Sequence, residues 1–154
     1  MPVDPHEAPV EVEVEVGCSP DHAWRLWTER MDVWWPPGKS VAGGDAEVVV
    51  EARPGGRIYE RTPDGVEHDW GRVVATDPPH RIAFTWHLMF DAADATDVEV
   101  TFTPIADGTR VRVVHTGWDR LARERGTDVA AQRRDRNRAG WTAVTAAFRA
   151  AAGD

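Results

Sequence analysis

Two histidines are the side chains of this sequence with the clearest potential for chemistry. In "EHDWG", His68 lies two residues before Trp70, and strand alternation places both on one face. In "TRVRVVHTG", Arg110 and Arg112 point outward, so His115 points inward. We expect both imidazoles to face the interior of a sheet. Burial disfavours the charged form, so we also expect His115 to be poorly exposed and to have a lowered pKa.

An inward histidine is more often a hydrogen-bonded core residue than a catalyst, but two in an aromatic cavity favour a polar anchor for a ligand. The sequence contains no H-x-H, no HExxH and no cysteine pair, so it predicts no metal site. It also lacks G-x-S-x-G, and the glycines of the turns PGG and PDG are not followed by the G-K-[ST] that a phosphate loop requires. We therefore predict no catalytic residue and no cofactor.

The sequence holds eight tryptophans, and two of them adjoin two prolines in "RMDVWWPPGKS". Trp24, Trp27, Met31 and Trp34 recur at spacings of three and four, which forms one apolar stripe on a helix. Such a stripe is more often core than a ligand platform. Trp35 has a different position, because it directly precedes Pro36 and Pro37, which end the helical stretch.

The elements that must position these residues follow from hydrophobic periodicity. Alternation in "VEVEVEVGC" predicts a strand, and Ser19 followed by Pro20 begins a helical hairpin. Six further strands run from "AEVVVEA" to "TRVRVVHTG", separated by turns such as PGG, PDG and ADG. Short, even spacing indicates an antiparallel meander. Thr127 or Asp128 then caps a long helix that ends near Ala152.

Two glycines inside predicted elements have specific expected roles. Gly71 follows Trp70 in a strand, which indicates a β-bulge. Gly140 lies in the interior of the long helix, where glycine costs about 1 kcal/mol relative to alanine. We expect Gly140 to permit close approach of the helix to the sheet beside Trp141.

This element order predicts an α+β fold. A seven-stranded curved antiparallel sheet wraps around the C-terminal helix, with a short helical hairpin after the first strand. We predict a single domain over residues 10–152, preceded by a loose tail over residues 1–9 that has little to bury. Because a curved sheet and a straight helix do not match in shape, a cavity between them is expected.

Three stretches carry a resemblance to a known family: "WTERMDVWWP" (27–36), "EARPGGRIYERTPDGVEHDWGRVVATDPPHRIAFTW" (51–86) and "RAGWTAVTAAF" (138–148). With this element order, the chain resembles the SRPBCC superfamily of START-like and birch-pollen-allergen-like helix-grip domains. Within it, the similarity is greatest to the bacterial family related to the C-terminal domain of the heat-shock-protein-90 ATPase activator. The resemblance covers about residues 10–152, and the sequence differs from the family pattern over residues 120–135. It implies the helix-grip fold, in a family of co-chaperone-like domains, ligand binders and cyclases.

These observations predict a non-enzymatic protein that binds a small, largely apolar ligand between the sheet and the C-terminal helix. The candidate ligand-binding residues are Trp35, His68, Trp70, Phe84, Trp86, His115 and Trp141. Trp35 is expected at the cavity mouth and only partly packed, whereas Trp34 is expected to be core. A cavity of about a few hundred Å³ would favour this function.

Two alternatives are left open. A co-chaperone-like protein-interaction module would use a protein partner and have a cavity filled by side chains. An aromatase/cyclase-like enzyme would use the inward histidines as general acid or base.

Charge and composition limit the partners. The chain has a net charge of −8, with 26 acidic and 18 basic residues, which predicts neither a nucleic-acid nor a membrane partner. Lys39 is the only lysine, and Cys18 stands alone, so no intrachain disulfide forms. The sequence shows no apolar run of 18 residues and no leader after Met1, so a cytoplasmic protein is expected. Both a monomer and a homodimer are compatible with the sequence.

Overall fold

The alternating segments and turn glycines form one curved sheet and four helices in a computed structural model, which describes residues 7–43, 45–88 and 90–153. The strands are β1 (Val10–Val16), β2 (Glu47–Val50), β3 (Arg57–Arg61), β4 (Glu67–Asp77), β5 (Arg81–Trp86), β6 (Thr96–Ile105) and β7 (Gly108–Thr116). The helices are α1 (Pro20–Glu29), α2 (Met31–Trp34), α3 (Trp118–Arg125) and α4 (Thr127–Ala152).

The sheet is fully antiparallel, with the strand order β1-β7-β6-β5-β4-β3-β2. The meander from β2 to β7 therefore closes with β1 at its far edge. Helix α4 lies across the concave face and buries Trp141, Val144 and Phe148 there. The predicted α+β helix-grip fold, with seven curled strands around the C-terminal helix, is confirmed.

The bulge expected at Gly71 is present. The β3–β4 register shifts between Ile58 and Tyr59, which pair with Gly71 and Asp69, so one residue of β4 is left over. A side chain at position 71 would collide with the backbone carbonyl of Thr85, and only glycine permits this approach. The bulge changes which side chains β4 sends to the concave face.

The helices differ from the prediction at one place. Helix α3 was not predicted, because only Trp118 and Leu121 of its residues are fully buried and the rest are mostly charged. The predicted helical hairpin after β1 is present as α1 and α2, which meet at Arg30. Ser19 caps α1 as expected, since its hydroxyl accepts from the backbone N–H of His22 at 3.2 Å. No helix within the described ranges is both long and apolar enough to cross a membrane.

The N-terminal tail is described only in part, since residues 1–6 lie outside the described residues. The carbonyls of Ala8 and Pro9 accept hydrogen bonds from Arg134 of α4, at 2.7 and 3.4 Å. The predicted domain bounds, a tail over residues 1–9 and a domain over residues 10–152, stay a prediction.

Candidate functional site

A pocket of about 120 Å³ lies between the concave face of the sheet and α4. Its walls come from the segment after α2, from the end of β5 and the segment after it, and from α4: Trp35, Gly38, Lys39, Trp86, Leu88, Phe90, Arg136, Asn137, Gly140, Trp141 and Val144. A dry cavity of about 150 Å³ is enough to hold benzene, whereas a water needs only about 10–15 Å³. The pocket is smaller than the few hundred Å³ of a typical ligand site but holds about one aromatic ring.

Three indoles form the inner wall of this pocket. The ring centroids of Trp86 and Trp141 are 5.1 Å apart, and those of Trp35 and Trp86 are 5.9 Å apart. The Trp35 ring stands edge-on to that of Trp141, at 6.2 Å and 87°. These separations are those of directly packed aromatic pairs, so the three indoles form one continuous apolar wall on a side of the pocket.

Gly140 contributes open space to the pocket. A Cβ added there would meet no atom within 4 Å apart from the local chain and the helix's own backbone. The expectation that Gly140 allows close helix–sheet approach is therefore wrong. Instead, the missing side chain lets the pocket reach the α4 backbone between Asn137 and Trp141.

The adjacent Trp34 and Trp35 occupy different positions. Trp34 packs on Trp27 and Phe148 at 5.1 and 5.0 Å and donates to the carbonyl of Leu26, which confirms its core position. Trp35 lines the pocket but is as buried as Trp34, at 7% against 6% exposure. The expectation that Trp35 is only partly packed is wrong, because neighbouring indoles cover it.

Both tryptophans are therefore expected to be important for stability. Trp34→Ala and Trp35→Ala should each lower the free energy of unfolding by about 3–5 kcal/mol, as large aromatic truncations in cores do. Urea unfolding gives this quantity, and Trp24→Ala, at a half-buried position, should have a smaller effect. A loss below about 1 kcal/mol for Trp35→Ala would contradict the packing described here.

His115 is fully buried and has partners at both ring nitrogens. Trp141 Nε1 donates to Nδ1 at 2.9 Å, so the proton of the neutral ring resides on Nε2, 2.5 Å from Thr96 Oγ1. Thr96 in turn donates to the carbonyl of Trp86 at 3.4 Å. Burial lowers the pKa of His115 from 6.5 to about 3, as expected from the sequence. The ring is thereby fixed as a neutral link between α4 and the sheet.

The other predicted site residues lie behind the pocket or outside it. Trp70 is fully buried and packs on Trp35 at 5.0 Å, and Phe84 packs on Trp86 at 5.5 Å. His68 shares the concave face with Trp70 but is half-buried on β4 and does not line the pocket. Trp35, Trp86 and Trp141 thus line the pocket, and Trp70, Phe84 and His115 support them. Their roles toward a ligand stay a prediction.

Glu60 is a buried carboxylate that sequence reasoning missed. It accepts hydrogen bonds from the backbone N–H groups of Val41 and Ala42, at 2.6 and 3.0 Å, and from Trp70 Nε1 at 2.8 Å. Alternation from Ile58 in "RIYER" was the available signal, because it places Glu60 on the inward face. The carboxylate holds the loop that directly follows Gly38 and Lys39, which line the pocket.

Metal binding and proton transfer have little basis in this geometry. In the part of the chain that the structure describes, no group of three or more His, Cys, Asp or Glu residues could hold a metal ion. Both nitrogens of His115 are occupied, and its lowered pKa keeps it neutral. The arrangement is suited to enclosing an apolar group.

Comparisons with solved structures agree with this fold. The protein MLL2253 from Mesorhizobium loti is 20% identical, with a TM-score of 0.66 over 92% of this chain and 93% of the other. An AHSA1-like protein from Aeromonas hydrophila is 19% identical, with a TM-score of 0.62 over 92% and 89%. Txn09, an anthrahydroquino-gamma-pyrone synthase solved as a complex, is 36% identical, with a TM-score of 0.56 over 82% and 87%.

A comparison with curated proteins gives no match. The family model of activator of Hsp90 ATPase homolog 1-like proteins matches residues 17–153, which include the helices α1 to α4 and every strand except β1. The chain belongs to the family of activator of Hsp90 ATPase homolog 1-like proteins, within the SRPBCC helix-grip superfamily.

Proposed function

We propose that this protein binds a small, largely apolar, ring-containing molecule in the pocket between its sheet and α4. The observation that carries the proposal is the wall of Trp35, Trp86 and Trp141, which borders a pocket with space for about one aromatic ring. The missing side chain of Gly140 extends this space. A gap of this size exceeds the water-sized voids that close-packed interiors usually contain.

The 36% identity to Txn09 supports a ligand with rings, since that protein is a synthase whose name denotes a fused-ring product. The same similarity favours an aromatase/cyclase-like enzyme as the second candidate. The hydrogen bonding of His115 argues against an enzyme, because a neutral imidazole whose two nitrogens are both bonded has no free site for proton transfer. The family name keeps a co-chaperone-like interaction with a protein partner as a further alternative.

Substitutions at Gly140 test the proposal directly. Gly140→Leu should fill the pocket and lower the affinity for the neutral probe 2-naphthamide, one ring of which occupies the pocket while the other extends from its opening, by at least about tenfold, measured by isothermal titration calorimetry. Gly140→Ala should instead stabilise the protein by about 0.5–1 kcal/mol, because alanine is the better helix former and no atom obstructs its Cβ.

The matched control is Ala139→Leu, on the exposed side of the same helical turn. This variant should bind 2-naphthamide like the parent protein. Unchanged binding in Gly140→Leu, or no binding by the parent protein, would contradict the proposed function. Unchanged melting temperatures in the control and in Gly140→Leu would show that lost binding does not come from unfolding.

A further inference from the structure

The charged side chains of the pocket wall are both cationic, although the protein is strongly acidic. Lys39 and Arg136 line the pocket, and no aspartate or glutamate does so among the described residues. The chain as a whole carries a net charge of −8. The only lysine of the sequence therefore lies at the pocket, together with an arginine from α4. This local reversal of charge attracts anions.

These two cations have no carboxylate partner among the described residues. The ion pairs of that part of the chain engage other arginines, including Arg125 and Arg133, which share Asp94 at 2.8 and 3.8 Å. Arg136 lies 5.7 Å from the ring centroid of Phe90, a contact that leaves its N–H groups available. The carboxylate of Asp94 is thus already paired with two other arginines, whereas Lys39 and Arg136 form no ion pair among the described residues.

The position of Lys39 is fixed by the pocket itself. Its backbone carbonyl accepts a hydrogen bond from Trp35 Nε1 at 3.1 Å, and the loop that follows is held by Glu60. The main chain at this rim is therefore held in place before any ligand arrives. Arg136 extends from α4, one turn before Gly140, on the opposite wall. An apolar floor of three indoles thus has a cationic rim.

We propose that the ligand is a small planar aromatic anion. Its ring lies against Trp35, Trp86 and Trp141, and its carboxylate or phenolate meets Lys39 and Arg136 at the rim. This inference rests on the proposed function and narrows the class of ligand. Charge-assisted hydrogen bonds from both cations stabilise the anion, and the indoles supply the apolar contact.

Two probes of matched shape test the inference. The anion 2-naphthoate and its neutral amide 2-naphthamide differ in charge at one substituent, so their affinity ratio in calorimetry isolates the effect of charge. We expect the parent protein to bind 2-naphthoate about tenfold more tightly than 2-naphthamide. Lys39→Gln and Arg136→Gln should each reduce this preference by about threefold, and the double variant should abolish it. Raising the salt concentration should weaken binding of the anion only.

Arg138→Gln is the control variant, because Arg138 is an exposed cation on the same helix outside the pocket wall. It should keep the full preference for the anion. Equal binding of both probes by the parent protein would overturn the inference and leave the proposed function intact. A preference that persists in the double variant would also overturn it. No binding of either probe would overturn the inference and the proposed function together.

Discussion

Replacing Glu60 with alanine is expected to lower the free energy of unfolding by about 3–5 kcal/mol, because three hydrogen bonds to a buried carboxylate are lost, each worth about 1.5 kcal/mol or more. The change leaves the N–H groups of Val41, Ala42 and Trp70 without their acceptor. Urea unfolding measures the loss. Amide hydrogen exchange at Val41 and Ala42 should also become faster, because the loop is released from the sheet.

The control for this experiment is Glu47→Ala. Glu47 is an exposed glutamate of β2 that pairs with Arg61 at 3.2 Å, and such surface pairs contribute less than about 1 kcal/mol. Similar losses for the two variants, or unchanged exchange at Val41 and Ala42 in Glu60→Ala, would show that the buried carboxylate does not hold the loop.

Acidification is expected to destabilise the protein through His115. The unfolded chain takes up a proton on this imidazole near pH 6.5, whereas the folded protein does so only near pH 3. The stability that depends on the neutral ring is therefore complete above pH 6.5 and is lost progressively as the pH falls toward 3. At about 1.4 kcal/mol per unit, the contribution lost by pH 4 is about 3 kcal/mol. Urea unfolding at pH 7 and pH 4 measures it.

Two histidine variants separate this effect from general acid titration. His115→Gln has no titrating group at this position, so its stability should fall less steeply between pH 7 and pH 4. His22→Gln, which changes an exposed histidine on α1, should keep the steep fall of the parent protein. An equally steep fall in His115→Gln would mean that other groups determine the acid sensitivity.

Much of the fold was predictable because its signals are local. Alternation in β1 and β7, the cap at Ser19 and the turn glycines each specify an element without knowledge of the rest. Helix α3 was not predictable in this way. It is short, and Trp118 and Leu121 are its only fully buried side chains, so its periodicity is weak. Its docking depends on tertiary contacts, such as the bond from Trp118 Nε1 to the carbonyl of His115.

The sequence indicated which face of the sheet the site residues lie on, but not how deeply they are buried. Strand alternation correctly placed His115 and Trp86 on the concave face, because successive side chains of a strand point to opposite faces of the sheet. It did not indicate that Trp35 is fully covered or that Gly140 opens space, since both depend on how α4 sits on the sheet. The role of Glu60 also required the three-dimensional path of the loop after Lys39.

The presence of a single lysine at the pocket gives a chemical handle for this protein. Amine-reactive reagents have one side chain to modify, and Lys39 lies on the pocket wall with its backbone fixed by Trp35. A dye attached there would report on the environment of the pocket wall. A photoactivatable group at the same position would label any molecule that enters the pocket, and so allow an unknown ligand to be recovered from a cell extract.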